Sequence, residues 1–256
     1  MDTNLLELKA KEIRREIFKF KTRTGNGHLA SCLSPVDILV SLFYDENTAF
    51  RVGVDHVIFS KAHGSPAIYP ILADIGMFSK DELDKYCTPQ GILRLHSDQS
   101  IPGCYFVGGS LGNGIGYAAG RAFANRGERF FVILGDAELY EGSVWETLLF
   151  IAHHKIPITL IVDRNGMGIL GKTEELLALE PLDAKFKAFG FTTSVCCGHD
   201  FSEMGKIFGV AATSPRAVIA NTVKGKGVSY MEGKYEYHTI IPKSPEQIEQ
   251  GLKELS

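Results

Sequence analysis

Two short apolar runs separated by a helical segment constrain the fold of this chain more than any other feature. Residues 130–134 and 156–162 are almost wholly apolar, which is typical of strands buried on both faces of a parallel sheet. Between them, the Ser-x-x-Glu spacing of Ser143 and Glu146 indicates a helix start. The stretch is therefore predicted to be a strand–helix–strand crossover, the repeating unit of α/β folds.

A polar residue follows each of the two runs. Asp136 and Asn165 lie 29 positions apart, close to the roughly 30 residues of one such crossover. Both then fall just past the carboxyl ends of neighbouring parallel strands, where open α/β sheets bind ligands. Magnesium prefers oxygen ligands and is usually held by one or two protein groups plus substrate phosphates. The carboxylate of Asp136, the amide oxygen of Asn165 and the backbone carbonyl of Met167 therefore predict a magnesium and diphosphate site.

The competing interpretation is that both motifs are ordinary turns. Gly-Asp is common where a strand turns into a helix, and Asn-Gly is common in tight turns. Either motif alone favours that interpretation, but their pairing at crossover spacing favours a ligand site.

Strand-like and helix-like segments alternate along the rest of the chain. Further strands are predicted at residues 55–59, 191–196 and 217–223, and helices at residues 5–21, 181–189 and 201–212. This alternation predicts an α/β fold, a parallel β-sheet flanked by helices on both faces. No linker, repeat or low-complexity segment interrupts it, so we expect one domain over residues 1–256.

Composition limits the partners and the compartment. The chain has 27 Lys plus Arg against 30 Asp plus Glu, a net charge of −3, so no electrostatic footprint for nucleic acid or for an anionic membrane is present. Five cysteines match neither a disulfide framework nor a zinc spacing. The chain has no apolar run of about 18 residues, the length that would indicate a membrane span. We expect a cytoplasmic protein without a nucleic acid or membrane partner.

These residues carry a family resemblance. Gly135-Asp136 followed by Asn165 resembles the thiamine diphosphate motif, and Glu141-Gly142 with Trp145-Glu146 resembles the amino-terminal domain of transketolases. Further transketolase-like signatures occur in chain order: Gly27-His28, Ser60-Lys61-Ala62-His63, Gly109-Ser110-Leu111-Gly112 and Tyr237-His238, where the family often has Trp-His. The resemblance extends over about residues 5–242, and such a collinear series is far more specific than one motif.

The resemblance implies roles for four loop histidines that would each be unremarkable alone. The family histidines that match His28, His96 and His238 line the sugar channel, bind substrate hydroxyls and assist proton transfers, so these three are the predicted catalytic residues. Those matching His63 and His238 lie near the diphosphate. Imidazole suits proton transfer because its ordinary pKa is about 6.5. His153, His154 and His199 lack such support and are predicted to lie outside the site.

The same resemblance implies the remaining cofactor contacts. Gly109 and Leu111 would lie against the aminopyrimidine of the cofactor, with the Gly109 carbonyl facing its amino group. The turn Gly135-Asp136-Ala137-Glu138 would bind the diphosphate. Glu141 resembles a family glutamate at the interface between protein chains, although a carboxylate there could equally stabilise the helix dipole.

Ala137 departs from the family pattern, which usually has glycine at this position. Its methyl group could crowd the diphosphate, or force a different turn if the position requires a positive φ. We expect cofactor binding to persist, because Asp136 and Asn165 are both present.

Full transketolases continue into a second domain, which supplies the glutamate that activates the cofactor, and then a third. The resemblance therefore implies the amino-terminal subunit of a split transketolase, active only with a carboxy-terminal partner subunit. Two copies of each chain, a heterotetramer, is the simplest arrangement. The predicted enzyme is a transferase of carbohydrate metabolism that moves a two-carbon ketol unit from a ketose, expected to be phosphorylated, to an aldose. Its cofactors would be thiamine diphosphate and Mg²⁺, for which Ca²⁺ or Mn²⁺ could substitute.

Two alternatives remain open. One is the α subunit of a 2-oxo acid dehydrogenase or decarboxylase, which shares the metal motif; the histidine series favours ketol transfer, because a sugar has more hydroxyls to bind. The other is a non-catalytic scaffold subunit, which the presence of Asp136, Asn165 and all four histidines disfavours.

Overall fold

A five-stranded sheet with every strand parallel forms the centre of the molecule. The computed structural model describes residues 2–256. The strands are β1 (His56–Phe59), β2 (Phe130–Gly135), β3 (Ile158–Arg164), β4 (Thr192–Cys197) and β5 (Arg216–Asn221). Their order across the sheet is β1-β2-β3-β5-β4, and each neighbouring pair is parallel. The predicted parallel sheet is confirmed, and each predicted strand begins within two residues of its observed start.

Helices cover both faces of this sheet, as predicted. The α-helices are α1 (Thr3–Thr24), α2 (Leu29–Leu33), α3 (Val36–Tyr44), α4 (Tyr69–Asp74), α5 (Asn113–Ala124), α6 (Gly142–His153), α7 (Thr173–Leu176), α8 (Leu182–Ala188), α9 (Phe201–Phe208) and α10 (Pro245–Glu254). Short 3-10 helices cover Ala62–Ile68, Lys80–Lys85, Ala137–Tyr140 and Tyr235–His238.

The apolar run of β2 supplies both cores. Phe131 and Ile133 belong to a cluster with α1, α3 and α9, whereas Phe130, Val132 and Leu134 belong to a second cluster with α5, α6 and α8. Successive side chains of a strand point to opposite faces. A strand covered by helices on both sides must therefore be apolar at every position, which explains the uninterrupted run.

One predicted helix start needs correction. Ser143 is not a cap, because α6 already begins at Gly142 and has no side-chain cap. Ser34, just before α3, donates its hydroxyl to the buried Asp163 carboxylate at 2.5 Å. A hydrogen bond to a charged acceptor is stronger than one between neutral groups. At the start of α10, the Ser244 hydroxyl accepts from the Gln247 amide and caps the helix.

The carboxyl edge of the sheet brings distant segments together. Gly135 at the end of β2 pairs in register with Asp163 in β3, so the loops that follow both strands open at the same edge. The loops after β1 and β5 open there as well, because every strand is parallel. Parallel sheets bind ligands at this edge.

Within residues 2–256, no helix combines the length and the hydrophobicity needed to cross a membrane.

The two-sided burial of the central strands makes a stability prediction. Val132 in β2 is completely buried, whereas Val195 in edge strand β4 is 58% exposed. Val132→Ala should lower the free energy of unfolding by about 2 kcal/mol, from the lost burial of two carbon groups plus the cavity left behind. Val195→Ala should change it by less than about 0.5 kcal/mol. Urea unfolding of both variants measures the difference, and equal losses would contradict the assigned core.

Candidate active site

One cavity of about 450 Å³ opens at the carboxyl edge of the sheet. Every site residue predicted from the sequence lines it: His28, His63, His96, Gly109, Leu111, Gly135, Asp136, Ala137, Glu138, Glu141, Asn165, Met167 and His238. These residues come from loops up to 210 positions apart in the sequence. The structure therefore brings them together, and the role of each within the cavity stays a prediction.

Backbone amides hold the side chains of two of the three predicted metal ligands, Asp136 and Asn165. Asp136 is buried, and its two carboxylate oxygens accept from the amides of Ala137 at 2.8 Å and Gly166 at 2.5 Å. The Asn165 amide oxygen accepts from the Met167 amide at 3.1 Å. Each of these oxygens keeps a lone pair after one such bond. A carboxylate, an amide oxygen and a backbone carbonyl form a hard oxygen donor set, which fits Mg²⁺.

Burial and the neighbouring Asp163 carboxylate raise the pKa of Asp136 to about 6. A nearby cation would stabilise the ionised form of this buried carboxylate and lower its pKa again. The electrostatics of Asp136 therefore agree with a cation-binding role.

Two lysines that sequence reasoning did not assign to the site also line the cavity. Lys224 donates to the carbonyl of Met167 at 3.1 Å, and its ammonium lies 2.8 Å from Nδ1 of His238. Burial, followed by the charge of Lys61, lowers the pKa of Lys224 to about 8. Lys224 thus brings a buried cation next to the predicted metal ligands.

Lys61 forms a buried ion pair with Asp163. The same carboxylate accepts the hydroxyls of Ser34 and Thr222. Burial by itself raises the pKa of Asp163, but the Lys61 ammonium and these donors lower it overall. Asp163 therefore remains charged under the cavity and fixes the Lys61 side chain there.

The four predicted histidines form one cluster at the cavity wall. The ring centroid of His28 lies 5.2 Å from that of His63, 6.3 Å from that of His96 and 5.1 Å from that of His238. The centroids of His63 and His238 are 5.2 Å apart. The segments that follow α1, β1, the 3-10 helix Lys80–Lys85 and β5 thus bring four imidazoles to one place.

Burial and the nearby lysines keep these imidazoles neutral. Burial, with the charge of Lys21 next in importance, lowers the pKa of His28 to about 4. Burial and then Lys224 lower the pKa of His238 to about 3. The pKa values of His63 and His96 are also lowered, in each case mainly by burial. At neutral pH all four rings are therefore uncharged, and each can accept a hydrogen bond at one ring nitrogen.

Three buried polar atoms of the cavity lining have no hydrogen-bond partner among residues 2–256: Nδ1 of His28, Nε2 of His96 and Oγ of Ser31. Buried polar groups are usually satisfied, so a set of exceptions in one cavity points to a ligand or to water. A polyhydroxylated ligand could satisfy all three, since each hydroxyl both donates and accepts.

The Glu138 carboxylate already has partners within the protein, and its predicted contact with the cofactor stays a prediction. Its carboxylate accepts from the Ser60 hydroxyl at 2.5 Å and from the amides of Gly112 and Gly135 at 2.8 and 3.1 Å. The side chain is thus occupied in joining three turns around the cavity. Gly112 itself has a φ of +81°, and a Cβ there would clash with the Ser143 hydroxyl. Both observations indicate that the backbone around Glu138 and Gly112 has little freedom to move.

Ala137 does not have a strained backbone. It is the first residue of the 3-10 helix Ala137–Tyr140 and does not have a positive φ. Alanine therefore does not force a different turn at this position, and its methyl group is the only difference from glycine.

Sequence reasoning missed several lining residues. They are Ser31, Lys61, Tyr140, Gly168, Ile169, Leu170, Leu176 and Lys224. A signal existed for the two lysines, because each follows a buried strand by two or three positions, where the ligand-binding edge of a parallel sheet begins. The apolar residues carry no comparable signal.

Comparisons with known proteins agree with this geometry. A family model described as 1-deoxy-D-xylulose-5-phosphate synthase matches residues 1–179. The chain is 36% identical to one of the subunits of the apulose-4-phosphate transketolase of Actinobacillus succinogenes, covering 98% of this chain and 95% of that protein. It is 32% identical to a 6-deoxy-6-sulfo-D-fructose transketolase subunit of a Clostridium species, covering 92% of this chain and 90% of that protein.

Longer relatives match over part of their length. The transketolase structure from Campylobacter jejuni superimposes with a TM-score of 0.90 at 26% identity, covering all of this chain but 43% of that one. Human transketolase is 31% identical, and this chain spans 41% of its length. The chain therefore belongs to the transketolase family, as an amino-terminal subunit of the kind found in split transketolases.

Proposed function

We propose that this chain supplies the metal and diphosphate half of a transketolase active site and that a partner chain supplies the remainder. The observation that carries this proposal is the meeting, in one cavity, of an oxygen donor set and four neutral histidines. The donor set suits a metal-bound diphosphate, and the imidazoles suit sugar hydroxyls. The assembly would transfer a two-carbon ketol unit from a ketose to an aldose.

In this proposal the metal is held by Asp136, Asn165 and the Met167 carbonyl. Mg²⁺ fits these oxygens, and Ca²⁺ or Mn²⁺ could replace it because both also accept oxygen ligands. The Lys224 ammonium would bind the negatively charged diphosphate, with His63 and the turn at Gly135 beside it. Lys224 already contacts both the Met167 carbonyl and His238.

Thiamine diphosphate, when bound, supplies the carbon nucleophile that carries the ketol unit. Gly109 and Leu111 would face its aminopyrimidine. Gly109 has a φ of +153°, a conformation that glycine adopts without strain. His28, His96 and His238 would orient the sugar by accepting hydrogen bonds from its hydroxyls, since their lowered pKa values leave the rings uncharged near pH 7.

The partner would be a carboxy-terminal transketolase chain, with a pyrimidine-binding domain and a third domain. Two relatives are each named as one subunit of an apulose-4-phosphate transketolase. On this chain, Leu170 is 76% exposed and Ile169 is 55% exposed beside the cavity, and Glu141 is exposed at its rim. Exposed apolar side chains next to a site favour a protein contact. We propose a heterotetramer with two copies of each chain, with Glu141 at an interface.

The names of two relatives support a proposal for the substrate class. Two relatives are named for apulose-4-phosphate and for 6-deoxy-6-sulfo-D-fructose, which carry a phosphate and a sulfonate group. For this chain we propose a ketose with a terminal anionic group, phosphate in the simplest case, as donor. We also propose a cytoplasmic location, since all five cysteines are free thiols.

Reconstitution tests the proposed reaction. The chain, mixed with a carboxy-terminal transketolase chain from the same organism and supplied with thiamine diphosphate and Mg²⁺, should transfer a ketol unit from a phosphorylated ketose to an aldose. The coupled release of the shortened aldose phosphate measures this activity. Activity restricted to 2-oxo acids would favour the dehydrogenase alternative, and cofactor binding without any turnover would favour a scaffold.

Removing the metal-binding carboxylate should abolish tight cofactor binding. Asp136→Asn in the assembled enzyme should weaken Mg²⁺-dependent thiamine diphosphate binding by at least about 100-fold, because even changes to outer-shell metal partners typically cost roughly 10–100-fold. Titration calorimetry with and without Mg²⁺ gives the affinity. Asp81→Asn, at an exposed position, is the matched control. Equal affinities for the two variants would contradict the metal site.

Restoring the family glycine should have a small effect. Ala137→Gly should change the affinity for thiamine diphosphate by less than about tenfold, equivalent to about 1.4 kcal/mol, because the Ala137 backbone is unstrained and the coordinating residues are retained. The same calorimetric titration compares the two proteins. Failure of both to bind would contradict the site assignment.

A further inference from the structure

His199, predicted from the sequence to lie outside the site, is connected to it through the backbone. The side chain lies in the loop between β4 and α9. Its Nδ1 is 2.5 Å from a carboxylate oxygen of Asp37, and its Nε2 is 2.9 Å from the backbone nitrogen of Val223. Val223 directly precedes Lys224 in the sequence. The imidazole therefore joins a buried carboxylate in α3 to the segment that carries a cavity lysine.

These contacts define the tautomer of the ring. The Val223 amide is a donor, so Nε2 must accept and carry no proton. Nδ1 then carries the proton and donates it to Asp37. Arg14 binds both oxygens of the same carboxylate, at 2.9 and 2.6 Å. Burial by itself raises the pKa of Asp37, but Arg14 and His199 lower it overall, so the acceptor stays charged.

The segment after β5 has further backbone restraints on both sides of Lys224. The Gly225 amide donates to the Ala30 carbonyl at 3.1 Å, and the Gly233 amide donates to the Lys224 carbonyl at 3.0 Å. The Thr222 hydroxyl donates to Asp163. His199 supplies the acceptor for the amide of Val223, which lies between Thr222 and Lys224. Asp163 therefore restrains Thr222 directly, and Asp37 restrains Val223 through His199.

The position of the Lys224 ammonium depends strongly on where its backbone is held, because the side chain is buried. Its side chain is 2% exposed and its ammonium meets the Met167 carbonyl and His238 within 3.1 Å. A small backbone displacement would move the ammonium away from both partners. A long side chain in solvent could compensate by changing rotamer, but a buried one is limited by close packing.

We infer that His199 is a positioning residue that holds the Val223 amide and thereby fixes the Lys224 ammonium at the anion-binding end of the cavity. This inference rests on the proposed function only for the identity of the ligand. The alternative is that His199 joins α3 to the last strand and affects stability alone.

A double-mutant cycle in the assembled two-chain enzyme separates these possibilities. His199→Ala should weaken Mg²⁺–thiamine diphosphate binding by roughly 5- to 50-fold, within the range of coupled neighbours. In a Lys224→Met background the same change should have no further effect. His199→Gln, whose side-chain oxygen can accept from Val223, should restore most of the affinity. His153→Ala, at an exposed histidine, is the control.

Additive effects of His199→Ala and Lys224→Met would overturn the inference, as would unchanged affinity in a folded His199→Ala protein.

Nuclear magnetic resonance of the cofactor-free chain gives an independent measurement. His199 should be the Nδ1-protonated tautomer, and His199→Gln should preserve the Lys224 side-chain shifts better than His199→Ala. An Nε2-protonated ring would overturn the inference. Failure of the wild type to bind thiamine diphosphate would instead refute the proposed function. The resonance measurements would then decide alone whether His199 positions Lys224.

Discussion

The buried carboxylate of Asp163 is the interaction on which the cavity depends. It lies at the carboxyl end of β3 and binds Lys61 from the loop after β1, Ser34 from the start of α3 and Thr222 from the end of β5. Removing one partner of a buried ion pair typically costs about 3–5 kcal/mol, because the remaining charge is left uncompensated. Asp163 thus joins three loops that together form one side of the site.

The charge arrangement around the cavity suits the proposed anionic ligand, although the chain has a net charge of −3. Two cations, Lys61 and Lys224, line a buried space in which the histidines are neutral. Interactions between charges are stronger in such a space than in water. The overall charge of the surface is therefore a poor guide to what binds at the carboxyl edge.

Sequence reasoning predicted most of the site and missed its supports. Asp136 and Asn165 could be found because they follow the ends of apolar runs by two and three positions, and the histidines because the resemblance singled them out. His199 was excluded because a lone histidine has no signature; its contacts with Asp37 and Val223 arise from chain segments that are 162 and 24 positions away. Nothing in the sequence indicated that the Glu138 carboxylate accepts from three protein donors; its predicted contact with the cofactor stays a prediction.

By itself, the sequence determined the α/β architecture, because strands covered on both faces must be apolar throughout and turn chemistry marks their ends. It also determined which polar residues would reach the carboxyl edge, since parallel strands all end there. Only the tertiary structure decided which buried charges pair, which imidazoles lose their proton and how Lys224 is held. Those properties depend on burial and on distances between segments far apart in the chain, and such distances are set by packing.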